Sequence, residues 1–248
     1  MPDPVQVGSL VVHRHDMAWV DRDNGWRIID QFANRGIRAL LHDWIAARFP
    51  FVVRRQSECG ARAPDVLALG LALPPLAGKQ RIALEVPANA IARIAPAPAL
   101  EEVSERITAH SRAPLLLLQE LAMQSRVEFR VFGSAAWEAL TGLAYLSNQS
   151  DLDLLWHPQD ATQLARSLEI LERWQRATGI HADGEIIFPE HEAVAWREWS
   201  YRRDTASVLV KRLNGVALRT RADLLHRLHA MAATSTEAQM RSMVEVSA

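Results

Sequence analysis

The segment S-D-L-D-L-L-W, Ser150 to Trp156, limits the possible folds of this chain more than any other. Successive side chains of an extended strand leave opposite faces, so Asp151 and Asp153 project together from one side while Leu152 and Leu154 point into a core. An exposed strand face would tolerate two neighbouring carboxylates. Two hard oxygen ligands on a rigid element also suit Mg²⁺ when substrate phosphates complete its octahedron.

What precedes and follows this strand narrows the reading. The run Val127 to Phe132 has strand character and ends at Gly133-Ser134, before a helical segment reaching about Leu143. Glycine-serine at a strand-to-helix turn offers free backbone N–H groups, a hydroxyl and the positive end of a helix dipole, which together suit a terminal phosphate. Downstream, I-H-A-D-G-E-I-I-F places Asp183 and Glu185 at the same parity, so either would join the aspartates if its strand pairs beside theirs. The role expected for that third acid is a general base or a further metal ligand.

The rest of the chain predicts an α+β protein. Ile28 to Phe49 reads as an amphipathic helix among short strands at Ser9–His13, Met17–Val20, Phe51–Arg54, Val66–Leu73 and Arg81–Val86. After position 100 come helices, then the order β-α-β-α-β, ending in a helix-like stretch near Glu192 to Arg202 and a strand Ser207 to Arg212. Pro114 suits a first helical turn. The alanine- and proline-rich stretch Pro87 to Pro98 reads as a linker. The expected division is an N-terminal α+β domain over 1–93, a linker over 94–99, a mixed-sheet catalytic domain over 100–233 and a flexible tail over 234–248.

Charge separates the two parts: 12 basic and 9 acidic residues precede position 98, and 16 and 20 follow. The overall net charge of −1 argues against a nucleic-acid coat. Cys59 is the only cysteine, which excludes an intrachain disulfide and a thiolate-rich zinc site. No signal-like N-terminus and no run of 18 uncharged apolar residues is found, so the cytoplasm is expected and a membrane is not. Lysine occurs only at Lys79 and Lys211, against 26 arginines. Both lysines are candidates for phosphate contact, together with Arg81, Arg54 and Arg55. His13, His15 and Asp16 cluster in sequence without a third ligand at metal spacing.

The ordered set of Gly133-Ser134, Asp151-x-Asp153 and a third acidic strand resembles the nucleotidyltransferase superfamily with the polymerase-beta-like fold. Within it, R-H-D-M-A-W-V at 14–20, V-V-R-R at 52–55, the G-S and D-L-D segments, D-G-E at 183–185, A-W-R-E-W at 195–199 and V-L-V-K at 208–211 resemble the phosphoribosyl-dephospho-CoA transferases of malonate decarboxylase. That resemblance implies transfer of the prosthetic group from 2′-(5″-triphosphoribosyl)-3′-dephospho-CoA to a serine of the malonate decarboxylase acyl carrier subunit, with release of pyrophosphate. Asp151 and Asp153 would hold Mg²⁺, Gly133 and Ser134 the departing phosphates, and Asp183 or Glu185 would help deprotonate the serine. The alternatives are a nucleotidyltransferase using an ordinary nucleoside triphosphate and a non-catalytic nucleotide- or carrier-binding protein.

Overall fold

Two sheets organise the chain, and the computed structural model describes residues 6–8, 10–56, 65–78, 80–201 and 206–246. A two-stranded ribbon, β1 (Gln6–Val7) with β2 (Leu10–Val11), leads into the first large sheet. Its elements are β3 (Met17–Val20), helices α1 (Arg22–Ile29) and α2 (Arg35–Ala46), β4 (Phe51–Val53), β5 (Val66–Ala72), β6 (Arg81–Pro87) and β7 (Ile91–Ala95). The spatial order is β6-β5-β4-β3-β7, antiparallel throughout. Asn34 caps α2 by accepting from the amides of Gly36 and Ile37, and the helix buries Leu41, Trp44 and Ile45 against Phe51, Leu67 and Leu69. Strand β6 shows the expected alternation, with Ile82, Leu84 and Val86 buried and Arg81, Ala83 and Glu85 exposed.

The second sheet follows α3 (Leu100–Arg106) and α4 (Ala109–Gln124). It comprises β8 (Arg130–Phe132), β9 (Leu152–Trp156), β10 (Ala182–Phe188), β11 (Glu192–Ala195), β12 (Ser207–Lys211) and β13 (Val216–Thr220) in the order β13-β12-β11-β10-β9-β8. Only β9 and β10 run parallel, so the sheet is mixed, and the α+β class read from the sequence is the one adopted. Helix α5 (Gly133–Thr141) joins β8 to β9, α6 (Ala161–Thr178) joins β9 to β10, and α7 (Trp196–Tyr201) and α8 (Arg221–Val246) follow β11 and β13. Leu152, Leu154 and Trp156 of β9 and Ile186 and Phe188 of β10 meet Leu171 and Trp174 of α6 in the core. The opposite face of the sheet carries the polar residues described below.

Four local expectations are corrected. The supposed linker contains β7, which pairs with β3 from Met17↔Ala95 to Val20↔Ile91, and the true crossing is only Pro96 to Ala99. An edge strand bonded on one side needs little apolar alternation, so its alanines gave no strand period. Glu192 to Ala195 is a strand paired with β10, and only the residues after it are helical. Pro114 lies inside α4 rather than in its first turn, and its carbonyl accepts the indole N–H of Trp174 at 2.7 Å. The tail expected to fray from Thr234 continues α8 to Val246, a segment free of glycine and proline.

The sheets share side chains. Trp137 and Tyr145 of the second half belong to the first core, and the Tyr145 hydroxyl donates to the Ala72 carbonyl at 2.8 Å. The Gln56 amide donates to the Leu213 carbonyl at 2.7 Å. These contacts bring the first sheet against the polar face of the second.

Candidate active site

Strand register assembles the acidic site. Asp153 pairs with Phe132 of β8 on one side and with Asp183 of β10 on the other. Phe132 leads directly into Gly133, whose φ of +66° opens α5 and whose Cα lies against the Asp153 carboxylate. A Cβ at Gly133 would sit 1.8 Å from Asp153 Oδ2, so no other residue fits there without displacing the carboxylate. Helix α5 has no side-chain cap, which leaves the first-turn amides, together with the Ser134 hydroxyl, to meet an anion.

Electrostatics binds the three aspartates into one unit. Burial, then the charges of Asp183 and Asp151, push the Asp153 pKa up to about 7, and Arg81 acts in the opposite sense. Arg81 is the first residue of β6, so a cation of the first sheet reaches the acids of the second. Asp151 stands at the end of a loop held by Glu138, whose buried carboxylate accepts the amides of Tyr145 at 3.0 Å and Leu146 at 2.9 Å.

Glu185 occupies the same face two residues beyond Asp183 and has a different environment. It accepts hydrogen bonds from Lys211 at 2.8 Å and Arg14 at 3.2 Å, and its second oxygen lies 3.2 Å from His15 Nε2. Burial by itself would raise its pKa, yet the His15 hydrogen bond, the charges of Arg14 and His15 and the Lys211 hydrogen bond hold the carboxyl far below the usual carboxylate range. Lys211 therefore reaches the site face as the partner of Glu185. Arg54 and Arg55 are exposed just past β4, with the stem of Arg54 lying across Gly70. Lys79 lies outside the described residues.

Comparison with known proteins decides the family. A profile described as the C-terminal domain of the phosphoribosyl-dephospho-CoA transferase MdcG matches residues 99–222, and one for its N-terminal domain matches residues 13–97. A phosphoribosyl-dephospho-CoA transferase of Xanthomonas campestris pv. campestris (strain 8004) is 41% identical over 211 residues, which is 85% of this chain and 95% of the relative. One from Bradyrhizobium diazoefficiens is 33% identical over 88% of this chain and 94% of its own length. The chain belongs to the phosphoribosyl-dephospho-CoA transferase family. One from Pseudomonas fluorescens is 29% identical over 81% of this chain and 91% of its own length. No solved structure matches.

Among the described residues no group of three or more His, Cys, Asp or Glu side chains closes around a point fit for a metal ion. Asp151 and Asp153 instead present two carboxylates whose mutual repulsion a divalent cation would relieve, and phosphate oxygens would supply further ligands. No described helix is long and apolar enough to cross a membrane.

Beyond Glu185 the same face opens into a cavity of about 890 Å³ that sequence reasoning missed. His13, His157 and His191 gather there, with the His13 and His191 ring centres 3.8 Å apart and those of His157 and His191 6.1 Å apart. Burial, then His191, Arg130 and His13, bring the His157 pKa down to about 4, and His191 is lowered by burial and by His13. These histidines are 144 and 34 positions apart in the chain, so the only local signal was the His13-His15-Asp16 cluster.

Proposed function

We propose that this chain attaches the phosphoribosyl-dephospho-CoA group of 2′-(5″-triphosphoribosyl)-3′-dephospho-CoA to a serine of the malonate decarboxylase acyl carrier subunit and releases pyrophosphate. The observation that carries this reading is the register Phe132↔Asp153↔Asp183 beside Gly133 and the uncapped start of α5. It sets an anion cradle next to paired carboxylates, the combination a metal–triphosphate requires.

In the reaction, the serine oxygen bonds to the α-phosphorus of the triphosphate while the bond to the bridging oxygen of the β-phosphate breaks. Pyrophosphate leaves with that electron pair. Asp183 takes the serine proton, because Glu185 is engaged by three basic side chains and held as an anion that has little affinity for a proton. Ser134 and the α5 amides orient the departing phosphates, and Arg81 offsets their charge from the first sheet. Mg²⁺ held by Asp151 and Asp153 would supply the Lewis acidity that polarises the reacting phosphate. Lys211 is kept in place by Glu185 as a nearby point charge.

The test combines the pure chain with apo carrier subunit, triphosphoribosyl-dephospho-CoA and Mg²⁺. The carrier should gain the mass of the prosthetic group and one pyrophosphate should appear per transfer. No mass gain, or equal labelling from ATP, CTP, GTP or UTP, would overturn the assignment.

A further inference from the structure

The cavity beyond Glu185 is built like a binding site rather than a packing defect. Two of the residues that line it carry a buried polar atom without any hydrogen-bond partner, Arg14 Nη1 and His13 Nε2. Buried polar atoms in native proteins are nearly always satisfied, and an Arg nitrogen can be satisfied only by an acceptor. Arg130, fixed by donating to the Ala97 carbonyl at 2.7 Å, adds a guanidinium with no carboxylate partner among the described residues. Asp16 sits beside His13 Nδ1 at 3.4 Å, so the unpartnered atom of that ring is the opposite nitrogen. The remaining walls include apolar side chains such as Val12, Leu155, Ile187 and Leu213.

Backbone conformation points the same way. Among the described non-glycine residues with positive φ, His15, Glu190 and His191 all line this cavity. Such conformations each carry a free-energy cost and concentrate at ligand sites.

Position connects the cavity to the acids. Leu155 and Glu185 line it, and each is two residues along its strand from Asp153 and Asp183, a displacement of about 7 Å on one sheet face. A ligand with one anionic group at the acids and another further along would therefore span both.

We propose that this cavity is a second anion subsite that receives the diphosphate and pantetheine arm of the dephospho-CoA moiety, with Arg14 and Arg130 on the phosphates and the apolar wall on the aliphatic arm. The inference rests on the proposed substrate, which carries two separate phosphate groups. Its test uses dephospho-CoA, which lacks the triphosphoribosyl group and so reports on this subsite alone.

Calorimetric titration of the intact chain with dephospho-CoA should show binding that Arg130→Gln weakens at least tenfold. Pantetheine, without phosphate, should bind at least tenfold more weakly than dephospho-CoA. His191→Asn, which keeps a residue tolerant of positive φ, should weaken dephospho-CoA severalfold, and it provides the test should Arg130→Gln fail to fold. Magnesium pyrophosphate should bind both variants within twofold of the parent. No binding of dephospho-CoA, or unchanged affinity in the folded variants, would overturn the subsite. So would variants that raise only the KM for the carrier protein, since the cavity would then seat the carrier. Because the titration needs no transfer, lost transfer with intact dephospho-CoA binding would remove only the functional reading.

Discussion

Asp183 and Glu185 stand two residues apart on one face of β10, and the structure treats them in opposite ways. Asp183 joins Asp153 and Asp151 in a patch of like charge. Glu185 is enclosed by Arg14, His15 and Lys211, which satisfy its charge within the protein. Equal chemistry at equal parity thus yields one carboxylate among like charges and one neutralised within the protein. The difference shows that neighbouring charge, more than position on the strand, sets the environment of each acid.

Neutralising one carboxylate in each region tests that contrast most directly. Asp153→Asn should reduce carrier modification at least 10³-fold, about 4 kcal/mol of transition-state stabilisation, measured by mass spectrometry of the carrier. Transfer at the parent rate would remove Asp153 from the reaction. Glu185→Gln should instead act on the fold, lowering stability in denaturant titration by about 3 kcal/mol because Arg14, His15 and Lys211 lose their common partner. A change well below 1 kcal/mol would show that the buried cluster is less dependent on charge than its geometry implies.

A smaller and opposite effect is expected for stability at the acidic patch. The raised Asp153 pKa means that its ionised form disfavours the folded state, a penalty that develops between the ordinary carboxylate range and about pH 7 and is complete above it. Asp153→Asn should therefore melt higher than the parent at pH 8 without divalent cations, by about 1–2 kcal/mol after allowance for solvent screening. The gain should vanish near pH 4 and also shrink when Mg²⁺ pairs the parent carboxylates. A gain that persists unchanged at pH 4 would point to packing rather than charge. Smallest of all, Lys211→Arg keeps the positive charge beside Glu185 and should alter transfer by less than about fivefold, roughly 1 kcal/mol. A larger loss would mean that the compact ammonium itself is required on the site face.

Much of the acidic site was legible in the sequence because its signals are local. Asp151-x-Asp153 declares a strand face by period alone, and Gly133-Ser134 marks the turn that brings a helix start beside it. Edge strand β7 escaped notice because small residues paired on one side show little pattern, and β11 because E-A-V-A is compatible with either period. The choice between Asp183 and Glu185 was beyond local reasoning, since both share a parity and the partners of Glu185 lie 170 and 171 positions earlier and 26 later.

By itself, then, the sequence determined the α+β class, the apolar and acidic faces of β9, and the strand-to-helix turn that carries Gly133, all of them properties set by neighbours within a few residues. Tertiary structure alone decided that Arg81 of the first sheet acts on Asp153, that Arg14 and His15 engage Glu185, and that three distant histidines line one cavity. Charge and burial act through space, and only the packing of the two sheets specifies which side chains share that space.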